Sequence, residues 1–210
     1  MQQFLLPLFP LPLVLLPGKA LPLHIFEERY KEMIGEALLR RSEFGVVQAL
    51  EGGIVRTGCT AQVDSVLKKY DDGRMDILTV GRRRFVIDEV DTERSYLRAG
   101  VTFFDDDDSA PGALDLRRRA VRAFTDFVRN SEEEIEIPDV EEPQLSFVLA
   151  KVSDDLNFLQ VLLGMQSEPE RIGKVAEHLE ALLVRQQLKS AMQKVAGTNG
   201  HGPRPRDLGQ

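Results

Sequence analysis

Residues 5–26 read LLPLFPLPLVLLPGKALPLHIF, the most apolar stretch of the 210-residue chain. Prolines recur through this stretch, at positions 7, 10, 12, 17 and 22. Because proline fixes φ and removes a backbone donor, the stretch cannot form a continuous helix. It predicts short extended segments joined by turns, with Pro17-Gly18 as the clearest turn signal. Such an apolar segment must be covered, and we expect the strands and the helix that follow to cover it.

The overall composition is typical of a globular protein, with 42% hydrophobic and 29% charged residues. The net charge of -7 disfavours nonspecific attraction to phosphate backbones, so we expect no nucleic-acid partner. The single cysteine, Cys59, excludes an internal disulfide and is typical of a reducing compartment. No basic segment precedes the apolar stretch, and its uninterrupted pieces fall far short of the roughly 20 residues of a membrane-spanning helix. We therefore expect a cytoplasmic protein without a signal peptide or membrane anchor.

One helix and at least five strands are predicted in the first half of the chain. The helix covers Glu27 to Arg41, where apolar residues recur at i, i+3, i+4 and i+7. Phe44–Leu50 predicts a buried strand, residues 57–90 a β-meander, and Tyr96–Phe104 a last strand. Short strands with one helix indicate a small barrel or rolled sheet rather than a parallel α/β fold.

Residues 57–90 show the details expected of a meander. Polar and apolar residues alternate around Cys59, and the alternation slips near Ser65, where a bulge is predicted. Asp71-Asp72-Gly73 predicts a hairpin turn, because an Asp-Gly pair tolerates the positive φ that such turns need. The returning chain is predicted as two strands separated at Gly81, Met75–Val80 and Phe85–Val90.

The second half is predicted to be helical. Asp105–Gly112 contains four adjacent carboxylates and a Pro-Gly pair, which indicate a solvated linker. Ser167-Glu168-Pro169-Glu170 is a capping box with proline in the first turn, so a long helix should begin there. Its apolar stripe runs from Ile172 past Leu183 toward Leu188, Met192 and Val195. Shorter helices are predicted at Ala113–Arg129, Leu145–Val152 and Asp154–Met165.

These features predict three regions. Residues 1–108 form a β-rich subdomain, residues 113–196 form a helical bundle, and residues 197–210 form a disordered tail rich in glycine, proline and polar residues.

Several segments carry a family resemblance. Residues 5–11, 15–18 and 21–27 resemble, in their order and spacing, the start of the N-terminal, substrate-binding domain of Lon (La) ATP-dependent proteases. Residues 55–63 and the run Gly81-Arg82-Arg83-Arg84-Phe85 are similar to the strands that follow in that family. The resemblance implies an α+β fold: a PUA-like small β-barrel or rolled sheet with one helix, followed by a C-terminal helical bundle.

The resemblance also implies a function. It points to a noncatalytic protein that binds polypeptide, either unfolded or as a partner protein in a protease system, through an apolar surface between barrel and helices. Five aromatic residues are candidates for that surface, although core packing is the alternative role for each of them. The candidates are Phe26, Tyr30, Tyr70, Phe103 and Phe104.

No catalytic or metal-binding pattern is present in the sequence. The chain has no phosphate-binding Gly-x-x-x-x-Gly-Lys loop, no nucleophile elbow and no recognisable Ser-Lys pair of the kind that Lon proteases use. The histidines His24, His178 and His201 have no carboxylate or cysteine at ligand spacing, so we expect neither a metal nor a cofactor. His24 lies in an apolar strand, where a buried, hydrogen-bonded histidine is favoured over a pocket-lining one. Cys59 is predicted to act as a small hydrophobe.

Three other functions remain open from the sequence. An oligomeric adaptor or assembly protein could form a homodimer through the helical stripe or through an exposed strand edge. A small-molecule-binding PUA-like module is the second alternative, and an enzyme of unknown type is the third, although no constellation of residues supports it.

Overall fold

The computed structural model describes residues 5–107, 110–129 and 135–198. Within these ranges the chain order is strand-rich first and helical second, which confirms the predicted α+β class. The elements are β1 (Leu6–Leu11), β2 (Ala20–Ile25), α1 (Glu28–Arg40), β3 (Phe44–Leu50), β4 (Gly53–Lys69), β5 (Met75–Asp91), β6 (Arg98–Phe104), α2 (Leu114–Val128), α3 (Leu145–Ala150), α4 (Leu156–Gly164) and α5 (Glu168–Thr198). His201 and the rest of the predicted tail from residue 199 lie outside the described residues.

The opening stretch forms β1, β2 and the turn between them. Pro17 and Gly18 make that turn, and Gly18 has a φ of 67°, a conformation that glycine adopts without strain. β1 runs parallel to β3 and antiparallel to β6, so the first strand lies between two strands that come later in the chain. The prediction of extended pieces joined by a turn is confirmed.

The sheet is a ring with one additional strand. Its order is β2-β5-β4-β3-β1-β6, and a further pairing of β5 with β6 closes the ring. β5 is long enough to pair with β4 along most of its length, with β2 over its first part and with β6 over its last part. β2 therefore lies beside the ring, at the end of the strand order. The register of β4 against β5 shifts between Val63 and Ser65, which confirms the bulge predicted there.

Gly81 does not end a strand, contrary to the prediction. β5 continues through it, and Gly81 pairs with Ala61 of β4 and donates its N–H to the carbonyl of Lys19 at 2.9 Å. A Cβ at this position would lie 2.2 Å from the carbonyl oxygen of Leu16. Glycine is needed here because the opening stretch crosses β5 at close range, not because the strand breaks.

The main hydrophobic core draws residues from both halves of the chain. Phe9 and Phe44 come from the ring, and Phe124 and Leu179 come from α2 and α5. A second, smaller core fills the ring around Phe85. The division into a subdomain at 1–108 and another at 113–196 therefore stays a prediction, because the two halves share one apolar cluster.

The apolar stripe of α5 is buried only along its first part. Ile172 and Leu179 are fully buried, whereas Leu188 and Met192 are 56% and 71% exposed. A helix rises about 1.5 Å per residue, so the 31-residue α5 extends well beyond the 15-residue α2 that packs against it. The predicted stripe is therefore partly exposed at Leu188 and Met192.

Candidate functional site

An exposed aromatic surface lies where β2 ends beside the hairpin between β4 and β5. It consists of His24, Phe26 and Tyr70, and we call these three residues the aromatic surface. The His24 ring stacks on Phe26 with centroids 5.9 Å apart and meets Tyr70 edge-on at 6.0 Å. Phe26 is 59% exposed, and it is the most exposed phenylalanine among the exposed large hydrophobic residues of the described chain. The surface therefore offers a ring to a partner from solution.

Hydrogen bonds fix two of these rings to one carboxylate. His24 Nδ1 donates to Asp76 Oδ1 at 2.5 Å, and the Tyr70 hydroxyl donates to Asp76 Oδ2 at 2.8 Å. The bond from His24, followed by the bond from Tyr70, holds the pKa of the Asp76 carboxyl below its ordinary value. The carboxylate thus stays ionised and keeps both rings in place. The sequence favours a buried histidine at position 24, but the side chain is 45% exposed.

The β4–β5 hairpin positions Tyr70. Gly73 has a φ of 82° at the predicted Asp-Asp-Gly turn, and its N–H donates to the Tyr70 carbonyl at 3.0 Å. Lys31 of α1 donates to the Asp72 carbonyl at 3.0 Å, which holds the turn against the helix. The cationic groups of Lys68 and Arg74 lie 4.5 and 5.0 Å from the centre of the Tyr70 ring.

This arrangement is suited to binding rather than to covalent chemistry. A histidine paired with an aspartate is half of a nucleophilic triad, which also needs a hydroxyl or thiol beside the histidine. In the part of the chain that the structure describes, no serine, threonine or cysteine forms a hydrogen bond with His24. The aromatic faces and the nearby cations instead provide apolar and cation–π contact surface.

The structure brings together two of the five aromatic residues predicted to bind polypeptide. Phe26 and Tyr70 lie on either side of His24. Tyr30 is only 7% exposed and packs on Phe9 with ring centroids 4.1 Å apart, so it belongs to the main core.

The other two predicted residues lie on β6, opposite Phe85 and Arg84 in the middle of β5. Phe103 is 36% exposed, and the Arg83 guanidinium lies 4.0 Å from its ring centre. Phe104 is partly buried, with the Arg84 guanidinium 4.8 Å from its ring centre. Because neighbouring residues of a strand point to opposite faces, Phe103 and Phe104 do not form one patch.

The junction between the ring and the helices is built around Asp106. Its carboxylate accepts hydrogen bonds from Arg84 of β5 at 2.6 Å and from Arg171 of α5 at 2.5 and 2.6 Å. Burial raises the pKa of Asp106, but the bonds from Arg171 and Arg84 outweigh it and lower that pKa on balance. The prediction that Asp105–Gly112 is a solvated linker is therefore wrong for Asp106, and Asp108 lies outside the described residues.

A second carboxylate completes this buried cluster. Glu168 accepts from Arg171 at 2.7 Å, and from the backbone and hydroxyl groups of Ser146 at 2.9 and 2.6 Å. The carbonyl of Met165 also accepts from Arg84 and from Arg171. Arg84 and Arg171 thus each have a carboxylate partner, the arrangement that makes burial of charge tolerable.

A groove of about 430 Å³ opens beside this cluster. Asp106 and Glu168 line it together with Arg117, whose guanidinium donates to three backbone carbonyls. The sequence predicts an apolar cleft between ring and helices. The described residues instead give this junction a charged centre, and the groove beside it combines charged side chains with the apolar surfaces of Pro111 and Pro143.

His178 packs on the helices and has structural contacts. Its ring stacks on Phe158 at 3.7 Å, and the Ser153 hydroxyl lies 3.0 Å from its Nε2. Burial lowers the pKa of His178, so the ring is neutral at pH 7 while Nε2 keeps its hydrogen bond with the serine hydroxyl. Ser153 is only 6% exposed and also accepts from the N–H of Asp155, so this pair fixes the start of α4.

Cys59 is fully buried, and burial raises the pKa of its thiol to about 12. It packs in the core as a small apolar residue, as predicted. Across residues 5–107, 110–129 and 135–198, no group of three or more His, Cys, Asp or Glu side chains is arranged to hold a metal ion.

Comparison with known families identifies the family of the chain. A sequence model of the family described as the ATP-dependent protease La (LON) substrate-binding domain matches residues 5–181. The chain belongs to this family. The Lon substrate-binding domain thus accounts for the ring, α1 to α4 and the first part of α5.

Two curated relatives are Lon proteases. The chain is 26% identical to the Lon protease of Flavobacterium johnsoniae over 209 residues, which cover 90% of the chain and 25% of that protease. It is 32% identical to the Lon protease of Parabacteroides distasonis over 110 residues, or 48% of the chain and 13% of that protease. The chain spans a quarter or less of the curated relatives it matches.

Two solved structures share the Lon N-terminal domain fold. A crystal structure of a Lon N-terminal domain protein from Xanthomonas campestris matches with a TM-score of 0.67 at 22% identity, covering 82% of this chain and 96% of that one. The N-terminal domain of a Mycobacterium avium complex Lon protease matches with a TM-score of 0.66 at 18% identity, covering 85% and 98%. In the described ranges, no helix combines the length and apolarity needed to cross a membrane.

The sequence alone does not reveal the two carboxylate contacts that shape this Lon-type domain. His24 and Asp76 are 52 residues apart, and Arg171 and Asp106 are 65 apart. The first pair could be found only by aligning β2 with β5, where His24 and Asp76 are direct partners. No local pattern distinguishes Asp106 from its three aspartate neighbours.

Proposed function

We propose that this chain is a noncatalytic protein of the Lon substrate-binding family that binds unfolded polypeptide through the aromatic surface. The observation that carries the proposal is the 59% exposure of Phe26, stacked on His24 beside Tyr70. Burial of an aromatic side chain contributes about 1.5–3 kcal/mol, so leaving this ring exposed has a cost that a bound partner would offset.

A surface that does not select one side chain can bind an unfolded partner, whose segments differ in sequence. Aromatic faces and nearby cations bind many apolar or aromatic side chains, whereas a deep pocket selects one. The family match supports polypeptide as the ligand class, since it covers the substrate-binding domain. The proposal takes the chain to act in the cytoplasm beside a protease system, without ATPase or peptidase activity of its own.

The test is binding of labelled reduced casein to the purified protein, followed by fluorescence anisotropy. Phe26→Ser should raise the dissociation constant about fivefold to thirtyfold, which corresponds to about 1–2 kcal/mol. Leu39→Ser is the matched control, because Leu39 is 85% exposed but lies at the other end of α1. Circular dichroism verifies that both variants fold. Equal affinity of Phe26→Ser and wild-type protein would refute the proposal.

A homodimeric adaptor is the second candidate, and one observation favours it. Val184, Leu188 and Met192 recur at intervals of four on α5 and are 55%, 56% and 71% exposed. Such a stripe can pair with a copy of itself. Light scattering should then give twice the chain mass, and Leu188→Glu should return the monomer mass. A monomer at all concentrations tested would eliminate this candidate.

A further inference from the structure

β2 is an open edge of the sheet. It stands at the end of the strand order and pairs with β5 alone among the described strands. A strand has two hydrogen-bonding edges, so the edge of β2 that faces away from β5 has no strand beside it.

Pro22 determines which backbone groups face that open edge. It is the partner of Leu78 in an antiparallel ladder, and it has no N–H to donate. A proline in a bonded pair would leave one ladder bond unmade, whereas in a pair that exchanges no hydrogen bonds the bonds to β5 come from Leu21 and Leu23. The Gly81 N–H also donates to the Lys19 carbonyl. Lys19 lies two residues before Leu21, so this bond shows that residues 19, 21 and 23 are the ones that face β5.

The alternate residues consequently present their backbone groups outward. These groups are the N–H and C=O of Ala20 and of His24 and the C=O of Pro22. No hydrogen bond from any other residue that the structure describes reaches them. Ala20, Pro22 and His24 are all exposed, so a partner can approach this edge. Groups spaced two residues apart along a strand match the repeat of an extended chain.

We propose that unfolded polypeptide binds as an added β-strand on the open edge of β2, with its backbone bonded to Ala20 and His24 and one apolar side chain on Phe26. The proposal rests on the proposed function and adds how the polypeptide is held. Backbone bonds supply affinity for any extended segment, and the aromatic surface at the end of β2 supplies the side-chain contact.

A second copy of this chain fits the edge less well than a free segment does. Symmetric antiparallel pairing of two β2 strands centred on Pro22 would set the two prolines opposite each other, and both central N–H donors would be missing. A free peptide places its own N–H groups opposite the Pro22 carbonyl. Pro22 thus protects the edge against self-association while it still allows a polypeptide to bind.

The first experiment uses a labelled peptide of alternating threonine and valine with one central phenylalanine. Two versions carry N-methyl groups on alternate residues, one version on each set. In an added strand only one set of N–H groups faces β2, so one version should bind about tenfold more weakly while the other binds within about twofold of the parent.

The second experiment restores the missing donor on the protein. Pro22→Ala adds an N–H that faces the peptide, and we expect binding to strengthen by about threefold. Pro10→Ala is the control, because Pro10 lies on β1 and pairs with Val47 of β3. Loss of affinity in Pro22→Ala would mean that the proline ring, not the strand edge, contacts the peptide.

The outcomes separate this proposal from the proposed function. If the two N-methylated peptides bind equally weakly, or if casein binds and the peptide does not, the proposal of an added β-strand is refuted. The proposed function is unaffected by either result. No binding of casein or peptide would refute both proposals. A doubled mass by light scattering that falls when the peptide is added would assign the edge to a second copy.

Discussion

Arg84 and Arg171 share a single carboxylate oxygen. Arg84 comes from β5 and Arg171 from α5, and their guanidinium groups donate to Asp106 Oδ1 at 2.6 and 2.5 Å. Both arginine side chains are almost fully buried. One aspartate thus neutralises charge at the place where the sheet ring and the helices meet.

Asp106→Asn should destabilise the protein strongly. The substitution leaves two buried guanidinium groups with only the Glu168 carboxylate between them, and breaking a buried ion pair costs about 3–5 kcal/mol. Urea unfolding followed by circular dichroism measures the change. Asp105→Asn is the matched control in the same run of aspartates, and its exposed side chain should change stability by less than about 1 kcal/mol. Equal stability of the two variants would contradict a structural role for Asp106.

Asp106 should also make the free energy of unfolding depend on pH under acidic conditions. The folded state holds the pKa of Asp106 below its ordinary value of 3.8, so its contribution is fully present well above 3.8 and is lost as pH falls through the folded pKa. Between about pH 5 and pH 2.5 the free energy of unfolding should therefore fall further for wild-type protein than for Asp106→Asn. Parallel curves for the two proteins would show that Asp106 titrates normally.

Gly81→Ala should also reduce stability. The added Cβ would lie 2.2 Å from the Leu16 carbonyl oxygen, and a backbone atom cannot move aside as the end of a flexible side chain can. Overpacking of this kind costs about 1–3 kcal/mol. Thermal unfolding is the measurement, and Gly53→Ala is the control because no atom lies within 4 Å of its added Cβ. A melting temperature of Gly81→Ala equal to that of Gly53→Ala would show that the crossing can relax.

His178 should titrate below its ordinary pKa of 6.5, because burial against Phe158 disfavours the imidazolium. Since the unfolded chain binds that proton more readily, stability should fall as pH drops through about 6.5. NMR titration of the ring protons gives the pKa directly. Phe158→Ala exposes the ring and should move the pKa back toward 6.5, and an unchanged pKa in that variant would refute burial as the cause.

Two elements in the first half agree closely with their prediction from local pattern. Phe44–Leu50 is predicted as a buried strand, and it forms β3 with those bounds. The spacing of apolar residues from Glu27 to Arg41 predicts α1, which covers Glu28–Arg40. These predictions are correct because the pattern of apolar residues along an element indicates which of its surfaces are buried.

The candidate site could be predicted only in part. Phe26 and Tyr70 were identifiable as aromatic candidates, but Tyr30 was equally plausible and lies in the core. Whether an aromatic side chain packs inward depends on the neighbours that the sheet topology supplies, and the sequence pattern does not contain them. The Asp106 cluster was missed for the same reason, because a run of aspartates looks solvated until two distant arginines are placed beside it.

The position of β1 between β3 and β6 sets the order of events during synthesis on the ribosome. The most apolar stretch is synthesised well before its partner β6, which ends at Phe104. At about 5–20 residues per second, the nascent stretch waits roughly 5–20 s before its antiparallel neighbour exists. Until then its leucines can be sheltered only by the helix and strands already made or by a chaperone.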